Sequence, residues 1–302
     1  MNRIKNVARL ILVSAIVALL AGCGGSSGGR FAYSDFIVFG ASLSDTGNVY
    51  TATNGSDPGA SPSYYLGRWS NGPLWIDNVA KSYDKEVKAA LLGGTNYAYG
   101  GAKTCAISGV TSSVPDVCDQ IDQYLSSVSN KANPNALYVI DASAVGNEIT
   151  KVLGGTVNSS QITTTAPANI TNNMQALYAA GARRFLISNV PDVGSTPLIQ
   201  GYGTTSAATA TSLSNAFNVA LDSALNSFIT ANPNAFVYKA DFFATMQKVK
   251  NSPSDYGIGN TTDACQIGGI ICTSPDSYFY WDNFHPTKTI GSIVSSYVLG
   301  FI

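Results

Sequence analysis

Short apolar runs that alternate with helix-forming stretches constrain this chain more than any other feature. Phe36-Ile-Val-Phe39, Ala136-Leu-Tyr-Val-Ile140, Arg184-Phe-Leu-Ile-Ser188 and Ala235-Phe-Val-Tyr238 are each four or five residues long. All four are expected to be strands, and the unbroken apolar runs at 36–39 and 136–140 are expected to be buried ones. Helical spacing fills the gaps. Ile170 to Ala180 has helical character and is closed by Gly181. Ser206 to Thr230 sets Leu213, Phe217, Leu221, Ala224 and Phe228 on one face. Further helices are expected from a Ser70 or Asn71 cap through Pro73 to about Tyr83, over Phe242 to Lys250, and over Lys288 to Leu299. Short strands are expected at Glu86 to Ala90 and from Asn96. The alternation predicts an α/β protein: a three-layer α/β/α sandwich around a central parallel sheet of about five strands.

The first residues read as an export signal. Arg3, Lys5 and Arg9 precede Leu10 to Ala21, in which only Ser14 is polar. That run is too short for a spanning helix of about 20 residues. It closes on Leu20-Ala-Gly-Cys23, which resembles the lipobox of bacterial lipoproteins. The resemblance implies that Cys23 is lipidated and becomes the mature N-terminus, a membrane anchor in the cell envelope, of the outer-membrane type given Gly24. Gly24-Gly-Ser-Ser-Gly-Gly29 is a flexible tether. The expected organisation is therefore a lipoprotein signal over 1–23, a tether over 24–34 and one domain over 35–302, with no internal linker.

Charge excludes one class of partner. The chain has 17 basic and 18 acidic residues, and three of the basic ones lie in the signal. The mildly acidic remainder argues against nucleic acid or another polyanion. Besides Cys23, the cysteines are Cys105, Cys118, Cys265 and Cys272. An even number in an exported chain favours two disulfides, and nearest-neighbour pairing, 105–118 and 265–272, is one of three connectivities. The spacings lack the paired knuckles of a zinc site.

The chemistry turns on a single histidine. The composition contains one, His285, and Asp282 lies three residues before it. On a helical turn such a pair shares a face, so the carboxylate can orient the imidazole. Serine needs a base with a pKa near 7 to become a nucleophile, and a carboxylate fixes that base's tautomer. Ser42, just past the strand at 36–39 and the break at Gly40, stands where sites form in open α/β sheets.

Ser42, Asp282 and His285 together resemble the SGNH (GDSL) hydrolase family, over roughly residues 35–290. Phe39-Gly-Ala-Ser-Leu-Ser-Asp-Thr-Gly-Asn48 looks like its first block, with Ser42 as nucleophile. Asn96-Tyr-Ala-Tyr-Gly-Gly-Ala102 looks like the second, where Gly101 matches the oxyanion-hole glycine. Asp141-Ala-Ser-Ala-Val-Gly-Asn-Glu148 looks like the third, where Asn147 matches the oxyanion asparagine; Asp282-Asn-Phe-His285 is the last. Gly67-Arg-Trp-Ser-Asn-Gly72 and Asn189-Val-Pro-Asp-Val-Gly-Ser-Thr-Pro197 resemble the lipase-like bacterial branch. The resemblance implies a flavodoxin-like SGNH fold, hydrolysis of acyl esters through an acyl-enzyme, an oxyanion hole of Ser42, Gly101 and Asn147, and no metal or cofactor. Two departures stand out. Ala41 replaces the family's aspartate, which removes a supporting hydrogen bond. The third block has Val145 for its first glycine and Glu148 for its aspartate.

The expected function is that of an esterase or lipase. Polysaccharide deacetylation and acyl transfer to an alcohol use the same mechanism, and a non-catalytic binding lipoprotein on this fold is the competing class. The aromatic run Tyr278-Phe-Tyr-Trp281 beside the histidine is either core or a platform for an acyl chain or sugar ring. Oligomeric state is not encoded in any of these features.

Overall fold

Four of the apolar runs pair into one parallel sheet in a computed structural model, which describes residues 31–59, 63–107 and 110–302. The signal, Cys23 and the tether as far as Arg30 lie outside the described residues. The folded unit begins at Ala32. Tyr33 is buried and the Ser34 N–H donates to the Asn135 carbonyl at 3.0 Å, so the last residues of the expected tether are packed.

The strands are β1 (Phe36–Phe39), β2 (Leu137–Asp141), β3 (Arg184–Ser188) and β4 (Phe236–Ala240), adjacent in that order. Their register pairs Val38 with Val139, Val139 with Leu186, and Leu186 with Tyr238. Among the described residues, seven helices of seven or more residues connect and flank them: α1 (Trp75–Lys81), α2 (Val117–Ser127), α3 (Val145–Leu153), α4 (Thr165–Ala180), α5 (Thr204–Ala231), α6 (Phe242–Asn251) and α7 (Lys288–Leu299). Ile37, Phe39, Ile140, Phe185 and Ile187 share one core with Ile121 of α2, Ile149 of α3, Leu177 of α4 and Phe217 of α5. Phe36, Val38, Leu137, Val139 and Leu186 are equally buried and face the other way by the two-residue pleat. On that side α1, α6 and α7 pack together. Burial on both faces is why the runs of β1, β2 and β3 are continuous in the sequence; β4, at the sheet edge, is half-exposed, with Phe236 open to solvent.

The sheet has four strands where about five were expected. The place beside β1 is held by single-residue bridges, Val38 to Asn96 and Ala89 to Asn96. The segment 86–90 forms no strand. Asn96 turns the chain instead, because its Oδ1 accepts the Ala98 N–H at 2.9 Å while its Nδ2 donates to the Ser44 carbonyl at 2.7 Å. The helix expected from a Ser70 or Asn71 cap starts later, at Trp75, where the Asp77 carboxylate accepts the Leu74 N–H. Asn71 serves a different helix: its Oδ1 accepts the N–H of Lys288, the first residue of α7. Both nearest-neighbour disulfides form, Cys105–Cys118 and Cys265–Cys272. The second closes a hairpin of β6 (Gln266–Ile267) and β7 (Ile270–Ile271), which follows β5 (Asn260–Ala264). β5 pairs with β8 (Tyr278–Tyr280) in a separate small sheet. The carboxyl ends of β1, β2, β3 and β4 all lead into residues around Ser42.

Candidate active site

The turn after β1 is held from behind by buried polar groups. Gly40 has φ +153°, and a Cβ there would lie 2.6 Å from that of Asp141, so only glycine lets β1 pass β2 at this point. Gln120 of α2 clasps it, accepting the Gly40 N–H and donating to the Gly40 carbonyl, each at 2.9 Å. Two residues beyond Ser42, the Ser44 hydroxyl donates to Asp141 at 2.7 Å, and Ser188 and the Ser143 N–H donate to that carboxylate's other oxygen. Asp45 accepts the N–H groups of Gly47, Asn48, Val49 and Gly100. Burial pushes the Asp45 carboxyl above its ordinary range, and these four donors pull it part of the way back. The last of them ties the Ser42 turn to the loop carrying Gly101. Ala41 is 2 % exposed and belongs to the apolar core.

Ser42, 6 % exposed, meets His285 across 243 residues of chain: Oγ lies 2.8 Å from Nε2. The other ring nitrogen, Nδ1, lies 2.8 and 3.0 Å from the Asp282 oxygens. Residues 282–285 form a non-helical turn rather than the expected helical one. Asp282 builds that turn itself, since its Oδ1 accepts the N–H groups of Phe284 and His285 at 2.8 and 2.7 Å. Burial favours the neutral acid here, but the His285 ring and these backbone donors outweigh it, and the carboxyl is held below its usual range. It remains ionised and accepts from His285 through Nδ1, which leaves Nε2 to face Ser42. The Tyr64 hydroxyl donates to Oδ2 at 2.9 Å, and the Trp69 indole lies against the His285 ring with centroids 5.0 Å apart.

The two oxyanion candidates besides Ser42 sit on neighbouring segments. Asn147, in the first turn of α3, lines the same cavity as Ser42, and its Nδ2 donates to the Ala102 carbonyl at 2.7 Å. An amide nitrogen has two hydrogens, so one remains available. Gly101 adjoins Ala102, is exposed, and does not line the cavity wall. Its φ of +85° is a left-handed conformation that favours glycine. Among the described residues, the N–H groups of Ser42 and Gly101 have no protein acceptor. Glu148, the long acid of the third block, is buried and accepts from both the backbone N–H and the hydroxyl of Thr104, at 2.7 and 2.6 Å. It pins the loop after Gly101, close to the Cys105–Cys118 bridge.

A cavity opens from Ser42 between the ends of β2 and β3, helix α6 and the β8 region. Including its open mouth it encloses about 630 Å³. Leu43, Val190, Val193, Met246, Phe279 and Phe284 give it apolar walls. In the aromatic run at 278–281, Phe279, Tyr280 and Trp281 are buried core, and the first two also line the cavity. Three residues at the site were not singled out from the sequence. Tyr64 lies in a Gly-, Ser- and Pro-rich loop, Ser143 is an unremarked residue of the third block, and Lys250 is one of several cations ending a helix. No local pattern marks any of them.

The description of the GDSL-like lipase/acylhydrolase family matches residues 36–298. Lipase 1 of Photorhabdus luminescens is 26 % identical, over 90 % of this chain and 50 % of its own length. The phosphatidylcholine-sterol acyltransferase of Aeromonas hydrophila is 27 % identical, over 80 % of this chain and 68 % of that protein. The chain thus spans half the length of the first of these relatives and about two thirds of the second. Among solved structures, an extracellular lipase from Streptomyces rimosus is similar at 12 % identity and a TM-score of 0.47, over 88 % of this chain and 98 % of that one. The chain belongs to the GDSL-like lipase/acylhydrolase family of hydrolases that act on ester bonds.

Proposed function

We propose that this chain is a carboxylic ester hydrolase in which Ser42 is the nucleophile, His285 its base and Asp282 the group that orients the base. The observation that carries the reading is the continuous line of contacts from Asp282 through both ring nitrogens of His285 to Ser42, ending in an apolar cavity. In the first step His285 Nε2 takes the hydroxyl proton while Oγ attacks the ester carbonyl. The negative charge that develops on the carbonyl oxygen meets the N–H groups of Ser42 and Gly101 and the free hydrogen of the Asn147 amide. His285 then protonates the leaving alcohol, and water repeats the sequence on the acyl-enzyme.

The apolar walls favour an acyl group larger than acetyl, hence esterase or lipase action over polysaccharide deacetylation. An alcohol taking the place of water gives acyl transfer by the same steps, and the Aeromonas relative is named for such a transfer. The signal and Leu20-Ala-Gly-Cys23 support export and attachment to a membrane through a lipidated Cys23, and the two disulfides fit an exported chain.

A p-nitrophenyl ester series of increasing acyl length tests the reading. Wild-type protein is expected to cleave it with a preference beyond acetate, and Ser42→Ala to abolish cleavage. Comparable turnover in the variant removes Ser42 from its role. Mass analysis of the mature N-terminus tests the anchor, and an unmodified Cys23 rules it out.

A further inference from the structure

One charged group on the cavity wall has no part in the chemistry above. Lys250, in the last turn of α6, holds its ammonium 4.6 Å from the centre of the Tyr280 ring and 4.9 Å from that of Phe279. It donates to the Ser195 carbonyl at 3.3 Å. Among the described residues it forms no ion pair. Asp192, the carboxylate whose field it feels, is engaged elsewhere: one oxygen accepts from the Thr211 hydroxyl at 2.6 Å and the other from the Gln247 amide at 2.9 Å. The contrast is with Lys103, which is fully buried and pairs with Asp116.

A half-buried ammonium that forms no ion pair is unfavourable. Burial pushes the Lys250 amine down to about 8, although the Asp192 charge pulls the other way. An ammonium has three donors, and one carbonyl uses only one. In the same cavity the Ser143 hydroxyl, 8 % exposed, has no partner among the described residues. The scaffold has left a cation without an ion pair and a hydroxyl without a partner on a wall that mixes apolar residues with Asp192, Ser195, Thr196 and Gln247.

We propose that Lys250 makes this cavity selective for esters that carry an anionic oxygen group, phosphate or carboxylate, beyond the scissile bond. The ammonium binds that group, and the apolar walls take the hydrocarbon between it and the ester. Lys250 is a specificity residue and does not touch the reacting atoms. The proposal rests on the reading of Ser42 as nucleophile.

The test uses the purified protein and two substrate pairs. Dihexanoylphosphatidylglycerol against dihexanoylglycerol carries the anion on the alcohol side. Mono-p-nitrophenyl glutarate against p-nitrophenyl valerate carries it on the acyl side. The readout is the anionic-to-neutral ratio of kcat/KM within a pair, so a general loss of folding or turnover cancels. Lys250→Met is expected to lower the ratio about tenfold or more in at least one pair, and Lys250→Arg to restore most of it. The pair that responds identifies the source of the anion. The wild-type ratio is also expected to fall as pH rises through about 8. The titratable groups facing the amine are Asp192 and Tyr280, and burial holds the Tyr280 hydroxyl protonated well above that pH. Ratios that stay within about twofold in both pairs overturn the proposal while leaving the hydrolase reading intact. A wild-type protein that cleaves none of the four esters overturns both.

Discussion

Two regions meet at Ser42, and they treat polar groups in opposite ways. Behind it, Gln120, Asp45 and Asp141 are buried and engaged: Asp141 alone takes Ser44, Ser188 and the Ser143 N–H. In front of it, in the cavity, the Ser143 hydroxyl has no partner and the Lys250 ammonium has no counter-ion among the described residues. The difference separates scaffold from recognition surface. A buried polar group that the chain satisfies fixes geometry, and one that it leaves open is stabilised only when a ligand arrives.

The largest effect is expected where the regions join. Asp282→Asn puts a donor against His285 Nδ1 and so favours the tautomer that cannot accept a proton from Ser42. Ester turnover should fall about 10⁴-fold with the fold intact, read by stopped assays beside circular dichroism. A loss below tenfold would show that Asp282 is mainly a turn builder. Next comes Asn147→Ala, on the cavity side. Its proposed role predicts a fall in kcat of about 100- to 1000-fold with little change in KM. A pure rise in KM would move Asn147 from transition state to substrate binding.

Smaller effects on chemistry, but clear ones on stability, test the contrast directly. Asp141→Ala strands three buried donors and should cost about 3 kcal/mol or more in urea unfolding. Ser143→Ala removes a hydroxyl that has no partner among the described residues, and its unfolding free energy should shift by less than about 0.5 kcal/mol. If the two variants lose similar stability, the division into satisfied scaffold and open pocket is wrong.

Much of the fold was legible because its signals are local. The runs of β1, β2 and β3 are continuous since those strands are buried on both faces, whereas β4 at the sheet edge is half-exposed, and the long helix at 204–231 keeps Phe217, Leu221 and Phe228 on its buried side. Where local signals compete, reading them failed. Asn71 is a good cap, but it caps α7, 217 residues away, because Pro73 and Leu74 carry the chain past before α1 begins. The expected strand at 86–90 is reduced to a single bridge from Ala89 to Asn96, whose side chain bonds to Ser44 and Ala98, contacts that periodicity does not register. At the site, Asp282 and His285 are three residues apart, so their contact is a local matter. Tyr64 reaches the same carboxylate from a loop 218 residues away, with no pattern to announce it.

By itself, then, the sequence determined the layers of this protein, the family it belongs to and the residue types from which its chemistry must be drawn. Period, turn residues and a lone histidine are properties of neighbours along the chain. The tertiary structure alone decided which buried groups are left without a partner. Whether Lys250 finds a carboxylate depends on how α6, the segment after β3 and β8 come together. Asp192 is close enough to act on Lys250 yet is already held by Thr211 and Gln247. That outcome is a competition among groups distant in sequence, and only their positions in space decide it.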